Sequence, residues 1–202
     1  MVSGHTISLV EGTASDWVQV WERDLDPALV ASTVAAAISS HRLRAHAVLA
    51  ADGEWSRTFI ALTSASYVPP HLHPVSADAR GSCERLVSVR GRCAALLFGP
   101  SGEFDVVYLV PESASAAVIR EGATNGCDAG SLRSVKGIEI HSGVAHSLIA
   151  LDDIAWVCES KRTADVSSQR KVFLPQFPVE GDSAVPATLQ AWRRKIVAAL
   201  TL

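Results

Sequence analysis

No run of apolar residues in this chain approaches the ~18 that a helix needs to cross a bilayer, although 48% of its 202 residues are hydrophobic. The opening MVSGHTISLVEG has no basic segment followed by an apolar stretch, so no secretory leader is recognised and a soluble, cytoplasmic protein is expected. Clusters of one charge are missing as well. The 18 Lys and Arg are scattered and the net charge is −3, which offers neither a phosphate-tracking face nor a patch for an anionic membrane. Nucleic acid and membrane are therefore excluded as expected partners. Cysteine pairs are also lacking: Cys83, Cys93, Cys127 and Cys158 form no CxxC, which argues against a zinc ribbon and, in a cytoplasmic chain, against a disulfide framework. They are read as reduced, mostly core-filling residues.

What is present is a chain long enough for one domain with terminal additions. DPALVASTVAAAISSH begins with Asp26 as N-cap and Pro27 at the first helical position, and sets Leu29, Val30, Val34, Ala37 and Ile38 on one side. From Leu43 the pattern changes to short runs rich in Val, Leu, Ile and Phe: RAHAVLA, RTFIALT, ERLVSVR, CAALLFG, FDVVYLV, GIEI, HSLIAL and IAWVCES. Each is bounded by Gly, Pro, Ser or Asp, as strands are, and so many short strands predict an all-β sandwich or barrel. GPSGEF, 99–104, predicts a hairpin. Residues 111–136 show little periodicity and read as a long functional connection of the kind that forms lids. After a proline-interrupted crossing, Leu189, Trp192, Ile196 and Leu200 recur at helical spacing. The expected division is a helical extension over 1–42, a β-barrel over 43–174, and a crossing segment with a helix over 175–202.

The stretch YVPPHLHP carries two histidines, His71 and His73, one residue apart. On a strand such residues face one side, about 7 Å apart at Cα, so their rings can converge on a metal; hydrogen-bonded or solvated strand histidines are the plain alternative. Pro69 and Pro70 fit the start or edge of a strand. Downstream, Glu84 begins the run ERLVSVRG and Gly91 permits a tight turn, while GIEIHSGVAH runs through Gly143 to His146. Three imidazoles and a carboxylate buried together without a cation would leave polar groups unpaired, at about 1–3 kcal/mol each.

These residues, His71, His73, Glu84, Gly91, Gly143 and His146, resemble the two motifs of the cupin family. Within it the chain looks most like the WbuC-type metalloproteins, a resemblance carried further by RLRAHAVLA, RTFIALTSASYVPPHLHP, LLFGPSGE and KVFLPQFPVEGDSA. Two departures are visible. The His73-to-Glu84 spacer holds ten residues, longer than the family's motif, and His141 stands where the second motif usually has proline. The resemblance implies a double-stranded β-helix, or jelly-roll barrel, flanked by N- and C-terminal α-helices, in which His71, His73, Glu84 and His146 hold one divalent ion. It also implies a homodimer, for which exposed sheet edges give a physical reason.

Four ligands can close a tetrahedral, structural zinc shell, whereas an octahedral ion keeps two positions open for substrate or dioxygen. Fe(II) is the expected ion, with zinc, manganese or nickel as alternatives, and a non-haem oxygenase acting on a small polar metabolite is the expected enzyme. A redox-neutral isomerase or lyase using the ion as Lewis acid, a non-catalytic binder of a sugar-like molecule, and a purely structural cupin remain the alternatives. Three neighbours are named as candidate catalytic residues: Tyr67 as hydroxyl donor or acid, Arg57 as an anion-holding guanidinium, and His141 as a ligand-orienting group or proton shuttle. Each also has a plain reading, Tyr67 as a barrel-end aromatic and Arg57 and His141 as surface residues.

Overall fold

The computed structural model describes residues 5–10, 25–52, 55–74, 83–113, 116–121, 134–162 and 170–200. In chain order the elements are β1 (His5–Val10), α1 (Pro27–Ser39), β2 (Arg44–Asp52), β3 (Trp55–Thr63), β4 (His71–Leu72), β5 (Cys83–Arg90), β6 (Cys93–Phe98) and β7 (Phe104–Leu109). Then follow β8 (Ala116–Glu121), β9 (Ser134–Val135), β10 (Gly137–His141), β11 (Ala145–Ala150), β12 (Ile154–Arg162), β13 (Val172–Phe173) and α2 (Val185–Leu200). Seven strands form one sheet in the order β1-β8-β10-β5-β12-β3-β2, and six form the other in the order β13-β4-β11-β6-β7-β9. This is the all-β, two-sheet jelly-roll barrel with flanking helices that the cupin resemblance implies.

Alternation along the strands sorts side chains into three apolar clusters. Cys93, Ala95 and Leu97 of β6 point between the sheets and join Leu62, Leu86, Ile138, Ile140, Leu148 and Val157. Their neighbours Ala94, Leu96 and Phe98 point outward, where Leu189, Trp192 and Ile196 of α2 cover them. Both faces of β6 are thus dry, which is why CAALLF is an unbroken apolar run rather than an alternating one. On the outside of the seven-stranded sheet, α1 packs Val30 and Ala37 against Phe59, Ala61, Val87 and Cys158. The chain is therefore layered helix, sheet, sheet, helix.

The ends of α1 follow the sequence signals. Asp26 Oδ1 accepts the Ala28 N–H at 2.9 Å, and Pro27 occupies the first turn. Ile38 departs from the expected apolar face and is 62% exposed. At the β5–β6 turn Gly91 has φ 71°, and a Cβ there would lie 2.4 Å from the Ile154 carbonyl oxygen. Gly99 and Glu103 close the expected β6–β7 hairpin.

Four strands lie where none was expected: β1, β8 and the two-residue β9 and β13. The first 42 residues contain β1 as well as the helix, and Ala116–Glu121 lies inside the stretch read as a long connection. β8 pairs antiparallel with β1 and parallel with β10, so this part of 111–136 is sheet. Residues 114–115 and 122–133, including Cys127, lie outside the described residues. No described helix is long and apolar enough to cross a membrane.

Candidate metal centre

The four expected ligands meet between the sheets. β4 and β11 are antiparallel neighbours with His71 opposite His146, and His73 follows directly on β4. Its carbonyl accepts the Gly143 N–H at 2.8 Å, so the glycine turn of the second motif clasps the backbone of the first. Gly143 has φ 86°, which favours glycine there. Glu84 comes from the opposite sheet, where inward-facing positions of β5 continue through Leu86. The candidate ligand atoms of His71, His73, Glu84 and His146 all lie within 4.8 Å of one another, and all four residues are buried. They could hold a metal ion.

Hydrogen bonding fixes which ring nitrogens point inward. His71 Nδ1 donates to the Pro69 carbonyl at 2.9 Å, His146 Nδ1 to Val144 at 2.9 Å, and His73 Nδ1 to Arg170 at 3.1 Å. A carbonyl only accepts, so each Nδ1 carries a proton, and in the neutral ring each Nε2 presents a lone pair. His71 Nε2 is buried with no hydrogen-bond partner among the described residues. Burial, with help from His146 and Lys171, holds its pKa well below the ordinary histidine value, so this ring is neutral.

The other two Nε2 atoms lie 3.1 Å (His73) and 3.0 Å (His146) from Glu84 Oε2. A neutral Nε2 facing a carboxylate oxygen is a contact between two acceptors, and only a proton or a cation among them relieves it. Donors bound at about 2.1 Å to one octahedral ion lie about 3 Å apart along the edges of the shell, as these do. The residues present fit a divalent ion.

Glu84 is held from behind. Its Oε1 lies 3.3 Å from Lys161 Nζ, which also contacts Glu159 Oε1 at 2.8 Å. Register explains the grouping: Lys161 on β12 is opposite Glu84, and Glu159 is opposite Leu86. Burial alone would raise the Glu84 pKa, but the Lys161 charge and a hydrogen bond from Glu159 outweigh it and hold the group well below the usual carboxylate range. Burial and the Glu84 charge push Glu159 up to about 8. The neighbouring carboxylates outweigh desolvation for Lys161 and raise its pKa. Nothing in the motifs pointed to this pair; the only trace in the sequence was the polar tail ESK on an otherwise apolar strand.

The cluster opens into a cavity of about 500 Å³, lined among others by Arg44, His46, Ile60, Leu148, Glu159, Lys161, Lys171 and Phe173. That volume is typical of small-molecule sites.

The three expected catalytic neighbours are not brought to this cavity. Tyr67 stands four residues before His71 and would share its face only if Pro69 and Pro70 kept the strand register, and they do not. Val68 packs in the inter-sheet cluster and His71, three residues on, also faces inward, so the backbone shifts phase across Pro69 and Pro70. Tyr67 itself points outward, stacks on Trp192 at 5.6 Å and donates its hydroxyl to the Pro178 carbonyl at 2.8 Å. It lines a separate groove of about 510 Å³. Arg57 faces away because Thr58, Ile60 and Leu62 are the cavity-lining members of β3. His141 follows Glu139 on the outer side of β10 and contacts it at 3.2 Å, while Ile138 and Ile140 face in.

A family profile described as "Domain of unknown function (DUF6016)" matches residues 25–108, less than half of the chain. No curated protein matches by sequence. Among solved structures, oxalate oxidase in complex with the substrate analogue glycolate is similar at 14% identity and a TM-score of 0.42, over 77% of this chain and 68% of that one. The polyketide cyclase RemF from Streptomyces resistomycificus is similar at 12% identity and a TM-score of 0.42, over 68% of this chain and 73% of that one. KdgF from Halomonas sp. shares 13% identity with a TM-score of 0.37, over 59% of this chain and 77% of that one.

Proposed function

We propose that this protein is a metal-dependent cupin enzyme acting on a small polar metabolite, with one divalent ion held by His71, His73, Glu84 and His146. The observation that carries this reading is a buried cluster in which the His73 and His146 Nε2 atoms contact one carboxylate and the candidate ligand atoms of all four residues lie within 4.8 Å of one another, while every Nδ1 is committed to a carbonyl. When bound, an octahedral ion would offer two positions to substrate or dioxygen and act as a Lewis acid. Fe(II) and non-haem oxygenase chemistry are the favoured form.

The chain's own residues do the rest. Carbonyls of Pro69, Val144 and Arg170 fix the histidine tautomers and orient the rings. Lys161 occupies Glu84 Oε1 and leaves Oε2 facing the histidines. Ile60, Leu148 and Phe173 give the cavity apolar walls.

A redox-neutral isomerase or lyase is the second reading, favoured by one observation: Glu159 and Lys161 line the same cavity, where a polar pair can exchange a proton with substrate. The WbuC-type relationship and a homodimer also belong to this proposal. Edge strands β2 and β13 carry the exposed Val48 and Val172, which supports edge contacts between copies.

Elemental analysis of freshly purified protein tests the site, with about one divalent ion per chain expected; a small fraction of an ion per chain would remove the foundation. Oxygen consumption by iron-loaded protein with candidate metabolites then separates the two chemistries. Turnover that persists anaerobically, or with zinc, eliminates the oxygenase form.

A further inference from the structure

We propose that the cavity takes a small organic anion, with an acidic group held by Lys171 beside the histidine cluster. This deepens the metal-site reading and rests on it. Strand register locates the lysine. Val172 is opposite Leu72 and Phe173 opposite His71, so the same antiparallel pairing carried one step further sets Lys171 beside His73. Phe173 turns its ring toward His71, with centroids 6.1 Å apart, and lines the cavity. Lys171 stands two residues earlier and therefore on the same face, where it too lines the cavity.

The other cations of the cavity are already occupied. Arg42 and Arg44 both pair with Glu180, and Arg44 also donates to the Tyr67 carbonyl. Lys161 lies between Glu84 and Glu159. Lys171 alone among these four makes no ion pair with a described residue. Counting lining groups, Arg42, Arg44, Lys161 and Lys171 give four positive charges against at most three from Glu84, Glu159 and Glu180, an excess of at least one before any ion is added. A divalent ion would raise that excess to at least three. A cavity of this sign, with low-dielectric walls, concentrates anions, and its ~500 Å³ suits a molecule of metabolite size.

Isothermal titration of the full-length, metal-analysed protein with malonate and succinate, each against its neutral diamide, tests this. The diacids are expected to bind at least tenfold more tightly than the diamides. Lys171→Met should lose about tenfold for the diacids with diamide affinity and metal content unchanged, and Lys171→Arg should restore binding. Absence of diacid binding at millimolar concentration, equal affinity for acid and amide, or a Lys171→Met variant that binds as the wild type does would each overturn the proposal. Failure of the metal reading is distinguishable, because it appears as metal-free wild-type protein, whereas failure of the anion alone appears as metal-loaded protein without charge preference.

Discussion

Replacing Lys161 by methionine should destabilise the metal-free protein by about 3 kcal/mol. The lysine separates two buried carboxylates, at 3.3 Å from Glu84 and 2.8 Å from Glu159, and only 14% of its side chain is exposed. Methionine fills most of the volume but removes the cation, so the loss is electrostatic rather than a cavity. Removing one partner from a buried ion pair typically costs about 3–5 kcal/mol. The lower end applies here, because Glu159 is already pushed up to about 8 and can take a proton to relieve the repulsion. For a chain of this length each kcal/mol shifts the melting temperature by about 2–4 °C, so a drop of about 6–12 °C is expected at pH 7. Calorimetry of chelator-treated protein measures it. Two controls sharpen the result: adding Glu159→Gln to Lys161→Met should recover much of the loss, and metal-loaded protein should lose less, since the ion then neutralises Glu84. A melting temperature lowered by less than about 2 °C in metal-free Lys161→Met would refute the account of Lys161 as the charge that holds the acidic pair.

His71→Ala and His146→Ala should each reduce bound metal to a small fraction of one ion per chain in elemental analysis while leaving a cooperative melt, because the three apolar clusters do not include these residues. Gly91→Ala should cost at least about 1–2 kcal/mol in urea unfolding, since it combines φ 71° with a Cβ 2.4 Å from the Ile154 carbonyl oxygen. Tyr67→Phe should cost about 0.5–1.5 kcal/mol through the lost hydrogen bond to Pro178, with metal content unchanged; reduced metal content in that variant would return Tyr67 to the site.

Of the candidate ligand set, the His71–His73 pair was legible from strand spacing, whereas Glu84 and His146 came with the cupin resemblance. His71 and His73 share a face by period two, and Gly143 and Gly91 mark turns that only a residue tolerating positive φ makes easily. Apolar runs such as CAALLF announced strands, and the caps of α1 announced its start. What was hidden depends on contacts between distant segments. Pro69 and Pro70 remove the regular pairing that would carry the His71 face back to Tyr67, so a face assignment made by counting residues failed there. Arg57 and His141 were named for their chemistry, yet alternation along β3 and β10 turns both away from the cavity. Lys161, Glu159 and Lys171 become neighbours of Glu84 or His71 only through the registers of β12 with β5 and of β13 with β4. β1 and β8 become visible only through their pairing, β1 with β8 and β8 with β10, because six-residue segments of mixed polarity carry no signal strong enough to stand alone.

The same alternation also explains why this barrel can carry a costly polar cluster. On β11, His146 and Leu148 face inward two residues apart, and on β5 Glu84 and Leu86 do the same, so each strand passes from the polar site to the apolar core within one pleat. Leu148 and Leu86 belong both to the inter-sheet core and to the cavity wall. The core therefore sets the distance between the sheets at the level of the ligands, and the two His–Glu contacts of 3.0 and 3.1 Å bridge that distance. Shortening Leu86 to alanine should for this reason disturb metal affinity as well as stability, because Glu84 rides on the same strand. A Leu86→Ala variant that melts earlier by the amount expected for a core truncation, about 2–5 kcal/mol, yet binds metal with wild-type affinity would show instead that Lys161 and Glu159 alone position the carboxylate.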